Sequence, residues 1–384
     1  MAAVPWSRAR ELAHSAAEPL PPAEVPLAGA AGLTLATGIH TALPMPAFDT
    51  AAMDGYAIAG PGPWRVRGTL RAGAVWTGSP LSAPDAVEIS TGAPVPAGAE
   101  AILPVEHVTW AGDLISGSPS VPGRHIRRAG EDAPAGTCLA PSGARIGPAL
   151  LGLAAACGYD TLSARPRPRV AVLVTGDELA TSGRPETGRI RDALGPLLPS
   201  LIADLDAAVT GVRHIRDQPS GQLATAVHAT EADVVVVTGS TSVGVTDQLR
   251  ALLTEARARW VVDTVACRPG HPQLLAGLPD GRWLVGLPGN PYAALVAAHT
   301  LLGPLLAGLT GRALPVLPKA PLTGYVRTAP GRTRLVPVVW DGAAVRVEDG
   351  SGAAFLRGAA LGDALAAVPD DWTEGAPVAL LLSR

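Results

Sequence analysis

Lysine is nearly missing from this chain. Of 30 basic residues 29 are arginine and one is Lys319, and 33 acids outnumber them for a formal net charge of −3. Nucleic-acid affinity rests on a basic face, so a partner of that kind is not expected. Aromatic residues are scarce at 4% against 47% hydrophobic residues overall, which leaves Ala, Val and Leu to build the core. Cysteine is limited to Cys138, Cys157 and Cys267, an odd set without CxxC spacing. That argues against a disulfide framework or a zinc site and makes the cytoplasm the expected compartment. The opening MAAVPWSRARELAHS has no apolar leader run, so no signal peptide is expected. The uncharged stretch Pro291–Leu309 contains His299, Gly303 and Pro304 and follows a strand-turn. A buried helix is expected there, and no membrane span. Glycine (44) and proline (38) are plentiful. With the arginine skew they suggest a GC-rich genome, in which Arg stands where relatives use Lys.

At 384 residues the chain exceeds one typical core, and several domains are expected. The passages RVAVLVTGDEL, ADVVVVTGSTSVGVTD and RWLVGLPGNPYAAL each hold a β-branched run without polar alternation. Such runs read as strands buried on both faces of a parallel sheet. Between them Leu194, Leu197, Leu198, Leu201, Ile202 and Leu205 step at helical spacing, a second helix is expected near 219–231, and Leu249, Leu252 and Leu253 mark a third. Further strands are expected near 261–266 and 283–287. Residues 166–312 therefore read as a doubly wound α/β domain, entered through the stiff RPRPR joiner at 165–169.

Residues 54–124, broken by Pro and Gly every few positions, read as a β-rich domain. Residues 125–162 look helical around LLGLAAACG and are expected to join the N-terminal segment, as 1–53 with 125–165, in a discontinuous helical linking domain. In the tail, 313–384, RLVPVVW and AAVRVED alternate around the turn pairs Asp341-Gly342 and Asp349-Gly350, as a small β-barrel would. The expected fold class is thus α/β plus β, multidomain.

Ligands of open α/β sheets bind beyond the carboxyl ends of the strands, and there this chain places Asp177, Glu178, Asp247, a run of hydroxyls and the helix start Gly289-Asn290-Pro291. That mix suits a phosphate-bearing or oxyanionic ligand held with a metal ion. Each feature also has a purely structural reading: Asp54 before Gly55 as a turn residue, Asp177 as a helix N-cap, Thr91-Gly92-Ala93-Pro94 as a Pro-braced turn, and Asn290-Pro291 as a cap with Pro at N1.

Six segments occur in order: PAFDTAAMDGYA, ISTGAPVPAGAEAILPVE, GEDAPAGTCLAPSGARIGP, RPRVAVLVTGDEL, SVGVTD and GLPGNP. Together they resemble the molybdopterin molybdenumtransferase family, which includes the gephyrin E domain, across nearly the whole chain. The resemblance implies insertion of molybdate into the dithiolene of adenylylated molybdopterin, with Mg²⁺, and release of AMP. It further implies a homodimer whose cleft lies between the α/β domain of one subunit and the β-rich domain of the other, and a molybdopterin adenylyltransferase as partner.

Carried over to this sequence, the resemblance makes Asp54, Thr91, Glu178 and Asp247 the catalytic set, with Glu178 and Asp247 holding the metal. Thr238, Gly239, Ser240, Thr241, Ser242, Gly244, Arg268, His271, Pro288, Gly289 and Asn290 would bind substrate. The chain departs from the family pattern in three places. A KPGKP-like segment reads CRPGHP, with Arg268 and His271 at the lysine positions; Arg keeps the charge in a planar fork, whereas His is only partly charged near neutral pH. An SGGVSVG-like loop reads TGSTSVG, with Ser240 in place of glycine, and a YDSN-like segment keeps only Asp192. A non-catalytic molybdopterin-binding or scaffold paralogue is the alternative function, and a phosphoester hydrolase on the same α/β domain a third.

Overall fold

The computed structural model describes residues 3–118, 121–217, 221–239, 248–350 and 352–382. The chain divides into two compact units, one of Met1–Ala36, Ser142–Gly147 and Thr161–Arg384, the other of Thr37–Pro141 and Pro148–Asp160. Helix α1 (Trp6–Ala16) opens the first unit and buries Trp6, Ala9, Arg10 and Ala13, a stripe at helical spacing.

The second unit is built on a six-stranded sheet of β1 (Gly55–Ile58), β2 (Trp64–Leu70), β3 (Asp85–Ile89), β4 (Ala101–Pro104), β5 (Thr109–Ala111) and β6 (Leu114–Ser116), in the order β5-β6-β2-β3-β1-β4. Alternate residues supply two apolar clusters, Ala57, Val87 and Ile102 in one and Tyr56, Ala86 and Leu103 in the other. The β-rich expectation holds for this stretch, but the helix expected over 125–162 is confined to α2 (Pro148–Ala156). Gly130, Gly136 and Gly143 all have positive φ, so 125–147 is made of turns and the short paired strands Ile126–Arg127 and Cys138–Ala140, which leaves only the Pro-led apolar run free to coil.

In the first unit a six-stranded sheet contains β7 (Arg169–Thr175), β8 (Ala208–Ile215), β9 (Val234–Thr238), β10 (Arg259–Val262), β12 (Leu274–Gly277) and β13 (Trp283–Leu287), while β11 (Val265–Arg268) lies outside it. The order is β8-β7-β9-β13-β12-β10, with the first four strands mutually parallel. Along β9, Val234 and Val236 join one apolar cluster and Val235 and Val237 another. Covered faces on both sides explain the lack of polar alternation. Helices α3 (Leu194–Asp204), α4 (Gln222–His228) and α5 (Gln248–Glu255) alternate with these strands.

Two features depart from the alternating pattern. Strand β12 runs antiparallel to both of its neighbours, β13 and β10; towards β13 this follows from the tight Leu278–Arg282 hairpin, with the Arg282 side chain clamped on Asp280 at 2.6 Å. The single strand expected near 261–266 is instead two: β10 at the sheet edge and β11, which pairs with Val4–Pro5 and with the C-terminal domain. Asp263 stands at the break, held by Arg250.

The tail forms β14 (Lys319–Thr323), β15 (Thr333–Asp341), β16 (Ala344–Val347), β17 (Ala364–Val368) and β18 (Pro377–Leu382), with helix α8 (Arg357–Leu361) before β17. Their pairing closes a ring, β15-β16-β14-β18-β17 and back to β15, so the expected small barrel is present and leaves no open edge. Pro291–Leu309 is one long apolar helical stretch with 83% of its most apolar window buried in the protein. It consists of α6 (Pro291–Ala297), a π turn over Ala298–Leu302 and α7 (Gly303–Leu309). Pro304 lacks the N–H that a regular helix would use there, and the π turn is the accommodation.

Candidate functional site

Strand β7 ends at Thr175, whose hydroxyl donates to the Thr238 carbonyl at 2.8 Å and so ties the ends of β7 and β9 together. Gly239 follows at φ +76°, where a Cβ would stand 2.6 Å from Thr175 Oγ1, so only glycine fits. Its N–H donates to Leu287 O at 3.0 Å, and the Cβ position of Gly289 is 3.6 Å from Gly239 Cα. The loops after β7, β9 and β13 therefore meet, as the strand-end argument requires. Glu178 folds back over Gly176, where a Cβ would lie 2.8 Å from Oε2. It brings an exposed carboxylate to this rim.

Asp177 is not a helix cap: its carboxylate accepts the Asp217 N–H at 3.3 Å, and a turn followed by a short strand comes after it. Asp217, at the carboxyl end of β8, escaped the sequence reading. Burial pushes its carboxyl above the usual range, and the charges of Asp177 and Glu178 add to this. The available signal was its position two residues past the end of β8, obscured because β8 is largely exposed and lacks a buried apolar run. No group of three or more His, Cys, Asp or Glu forms a ready metal cage among the described residues.

Asn290 occupies the N-cap position of α6 with Pro291 behind it, but its side chain makes no capping bond. Pro291 has no N–H and that of Ala293 goes to Ala353 O at 3.0 Å. The capping expectation for Asn290 is therefore met by position alone. Pro288 is buried, whereas Gly289 and Asn290 are exposed on the rim.

The basic segment packs against the flank of α6, with the Cβ position of Gly270 at 3.2 Å from Ala293 O. Arg268 is exposed and sits opposite Arg334 in the β11–β15 register. Burial, then the charges of Arg268 and, after an opposing contribution from Tyr292, Arg327, lower the Arg334 pKa. Arg334 and Arg327 are thus basic groups that the CRPGHP segment alone did not reveal. For Arg334 the hint was the PGRTR run at 330–334, and pairing between distant strands was needed to read it. His271 turns inward instead: Nδ1 bonds Val265 O at 2.8 Å, leaving Nε2 3.5 Å from the Thr264 hydroxyl.

Asp192 is buried and fully engaged. Oδ1 accepts from Leu194 N at 2.8 Å and Gly195 N at 3.0 Å, and Oδ2 lies 2.7 Å from His214 Nε2. It anchors the start of α3, the capping role expected of an Asp there. Asp192→Ala is expected to cost about 1–2 kcal/mol, read as a lower urea midpoint; an unchanged midpoint would remove that role.

Within the second unit Asp54 Oδ1 accepts from Thr91 N at 2.7 Å and Thr91 Oγ1 at 3.1 Å. These bonds, the backbone one first, hold the exposed Asp54 carboxyl below the usual range. Both Thr91 donors therefore point at Asp54, where the sequence had suggested an open oxyanion pocket. Thr91 orients the acid and keeps it ionised. Ser240, Thr241, Ser242, Gly244 and Asp247 lie outside the described residues.

Two family models match the chain: the MoeA N-terminal region (domain I and II) over residues 4–158 and a probable molybdopterin binding domain over residues 171–308. Molybdopterin molybdenumtransferase 2 of Mycobacterium tuberculosis is 34% identical over 378 residues, 92% of each chain. The molybdopterin molybdenumtransferase of Synechococcus elongatus is 34% identical over 347 residues, 85% of this chain and 86% of that one. Two crystal structures of the molybdopterin biosynthesis MoeA protein from Pyrococcus horikoshii superpose over nearly all of both chains. One has a TM-score of 0.81 at 23% identity, the other 0.78 at 27%. Near-complete coverage, both family models and the strand-end acids agree: this chain belongs to the molybdopterin molybdenumtransferase family.

Proposed function

We propose that this protein acts in molybdenum cofactor biosynthesis as a molybdopterin molybdenumtransferase, inserting molybdate into adenylylated molybdopterin with release of AMP. The supporting observation is the convergence of the three strand-end loops, which brings Glu178, Thr238, Gly239, Gly289 and Asn290 to one rim. An exposed carboxylate at Glu178 beside a basic flank separates two ligand parts, a cationic or oxo-metal part and a phosphate part.

On the phosphate side Arg268, with Arg334 and Arg327 behind it, supplies positive charge beside the first turn of α6. A guanidinium fork matches phosphate oxygens in two-point fashion. Ser240, Thr241, Ser242 and Gly244, outside the described residues, are the hydroxyl-bearing and glycine positions that the family resemblance would add to this side. His271 contributes through Nε2 alone. On the acid side the charges of Asp177 and Glu178 act on Asp217, and a hard dication nearby would offset that repulsion. Glu178 and Asp247 would hold Mg²⁺, which offsets that repulsion and polarises phosphate oxygens when bound. Asp54, kept ionised by Thr91, would accept hydrogen bonds from N–H or O–H groups of the substrate or face its cation, and its unit and the α/β unit act from different subunits of a homodimer. The compartment is the cytoplasm, and a molybdopterin adenylyltransferase supplies the substrate. The retained acids count against a role limited to binding.

Purified protein incubated with adenylylated molybdopterin, molybdate and Mg²⁺ should release AMP only when molybdate is present; molybdate-independent or absent release would reject the reading. Arg268→Ala should raise the KM for adenylylated molybdopterin roughly tenfold, the loss of one charge-assisted contact of about 1.5 kcal/mol. His271→Ala should change it far less, because that ring is already tied to its own loop. Equal effects of the two substitutions would contradict this division.

A further inference from the structure

A cavity of about 780 Å³ lies entirely within the first unit, lined by residues including Arg10, Leu197, Leu295, His299, Leu356 and Leu380. It is distinct from the strand-end rim, none of whose residues line it. Its volume is in the range that holds a drug-sized ligand, and its wall is mainly apolar with a few polar groups.

The polar groups do not balance. Arg145 and Arg312 are both matched by Asp206, at 2.8 and 2.7 Å. Arg10 is only 6% exposed, and no carboxylate lies within ion-pair distance of it among the described residues. One of its N–H groups donates to His299 O at 2.9 Å, and its guanidinium stacks 5.3 Å from the Trp6 ring. That carbonyl is available because the π turn diverts the Gly303 N–H to Ala298 O, and Pro304 has none to offer. The structural need thus accounts for one of five N–H groups and for none of the charge. A buried cation without a counter-charge is costly, and burial accordingly lowers the Arg10 pKa to about 10. Burial and then Arg10 push His299 down to about 4, against Asp204, which leaves a neutral ring on the same wall.

We propose that this cavity binds a small amphiphilic carboxylate, its head paired with Arg10 and its apolar body among Leu197, Leu295, Leu356 and Leu380. A neutral His299 offers a further N–H to the head. A single negative charge is the match: Arg10 is the one unneutralised cation, and Asp204 on the same wall disfavours a dianion such as a phosphate monoester.

Calorimetric titration of the full chain tests this with decanoate, decanol and 2-naphthoate, the two acids separating an acyl from an aryl body. Wild type is expected to bind at least one of the acids at least tenfold more tightly than decanol. Arg10→Met should abolish that preference while decanol binding stays the same. Arg10→Lys should keep it. Leu197→Trp, which narrows the cavity without touching Arg10, should weaken the bound acid tenfold or more. Circular dichroism and molybdate-dependent AMP release check that each variant is folded. Failure of wild type to bind either acid would overturn the proposal, whether water or a second copy of the chain fills the space. So would equal affinity for decanol, or unchanged acid binding in Leu197→Trp.

Discussion

Glu178→Gln is expected to lower molybdate-dependent AMP release by about 10²–10³-fold, the range seen when one preorganised electrostatic group is removed. The substitution keeps size and hydrogen-bonding capacity and deletes only the charge. Glu178 is exposed and its carboxylate lies over Gly176 with no ion-pair partner among the described residues, so stability should change by less than about 0.5 kcal/mol. A loss of rate in an intact fold therefore reports chemistry. The loss should be partitioned mainly into kcat, with the KM for adenylylated molybdopterin within a few-fold of wild type, because the phosphate side is carried by Arg268 and its neighbours. Raising Mg²⁺ should recover part of the activity if the missing charge served a metal. Full activity in Glu178→Gln at low Mg²⁺ would remove Glu178 from the site.

The largest stability effect is expected at Asp206. This residue has φ 59° and a side chain only 11% exposed, gripped by Arg145 and Arg312. Asp206→Asn keeps tolerance of the left-handed backbone and removes the charge that both arginines share. Removing one partner of a buried ion pair costs about 3–5 kcal/mol. Arg145 is nearly half exposed and its share is screened, so about 2–3 kcal/mol is expected, read as a lower urea midpoint.

The same group sets an acid sensitivity. Burial alone would raise the Asp206 carboxyl, but the Arg145 and Arg312 bonds and charges outweigh it and the net direction is down. A depressed carboxyl contributes stability that is fully present above the ordinary carboxylate pKa of about 4. That contribution fades as pH falls through the lower folded value. The Asn variant should lose stability near neutral pH and show a flatter decline below about pH 4. Superimposable urea midpoints across that range would refute the assignment.

How legible the molecule was depends on the range of the interaction. The β9 run Val234–Val237 announced itself because both faces of one strand are covered, so four successive residues had to be apolar. The barrel tail was legible from alternation and turn pairs for the same local reason. The antiparallel strand β12 was not, although Asp280-Gly281 is a hairpin signal. Short apolar runs look alike whichever way they pair. The CRPGHP segment read as one basic patch, but Arg268 and His271 point to different ends, since His271 satisfies Val265 O within its own loop. Arg334 joined Arg268 only through pairing between strands 66 residues apart in the chain, from Cys267↔Thr333. Thr91 looked like an oxyanion donor until Asp54 claimed both of its donors.

By itself the sequence determined the family, the order of its elements and the chemical types gathered at the strand ends. Those follow from covalent order and from the local periodicity with which side chains meet water or core. Only the tertiary structure decided which acids and cations are neighbours, which are already satisfied, and that Arg10 lies buried without a counter-charge. Such facts depend on distances between residues far apart in the chain, and electrostatic and hydrogen-bond energies are set by those distances and by burial.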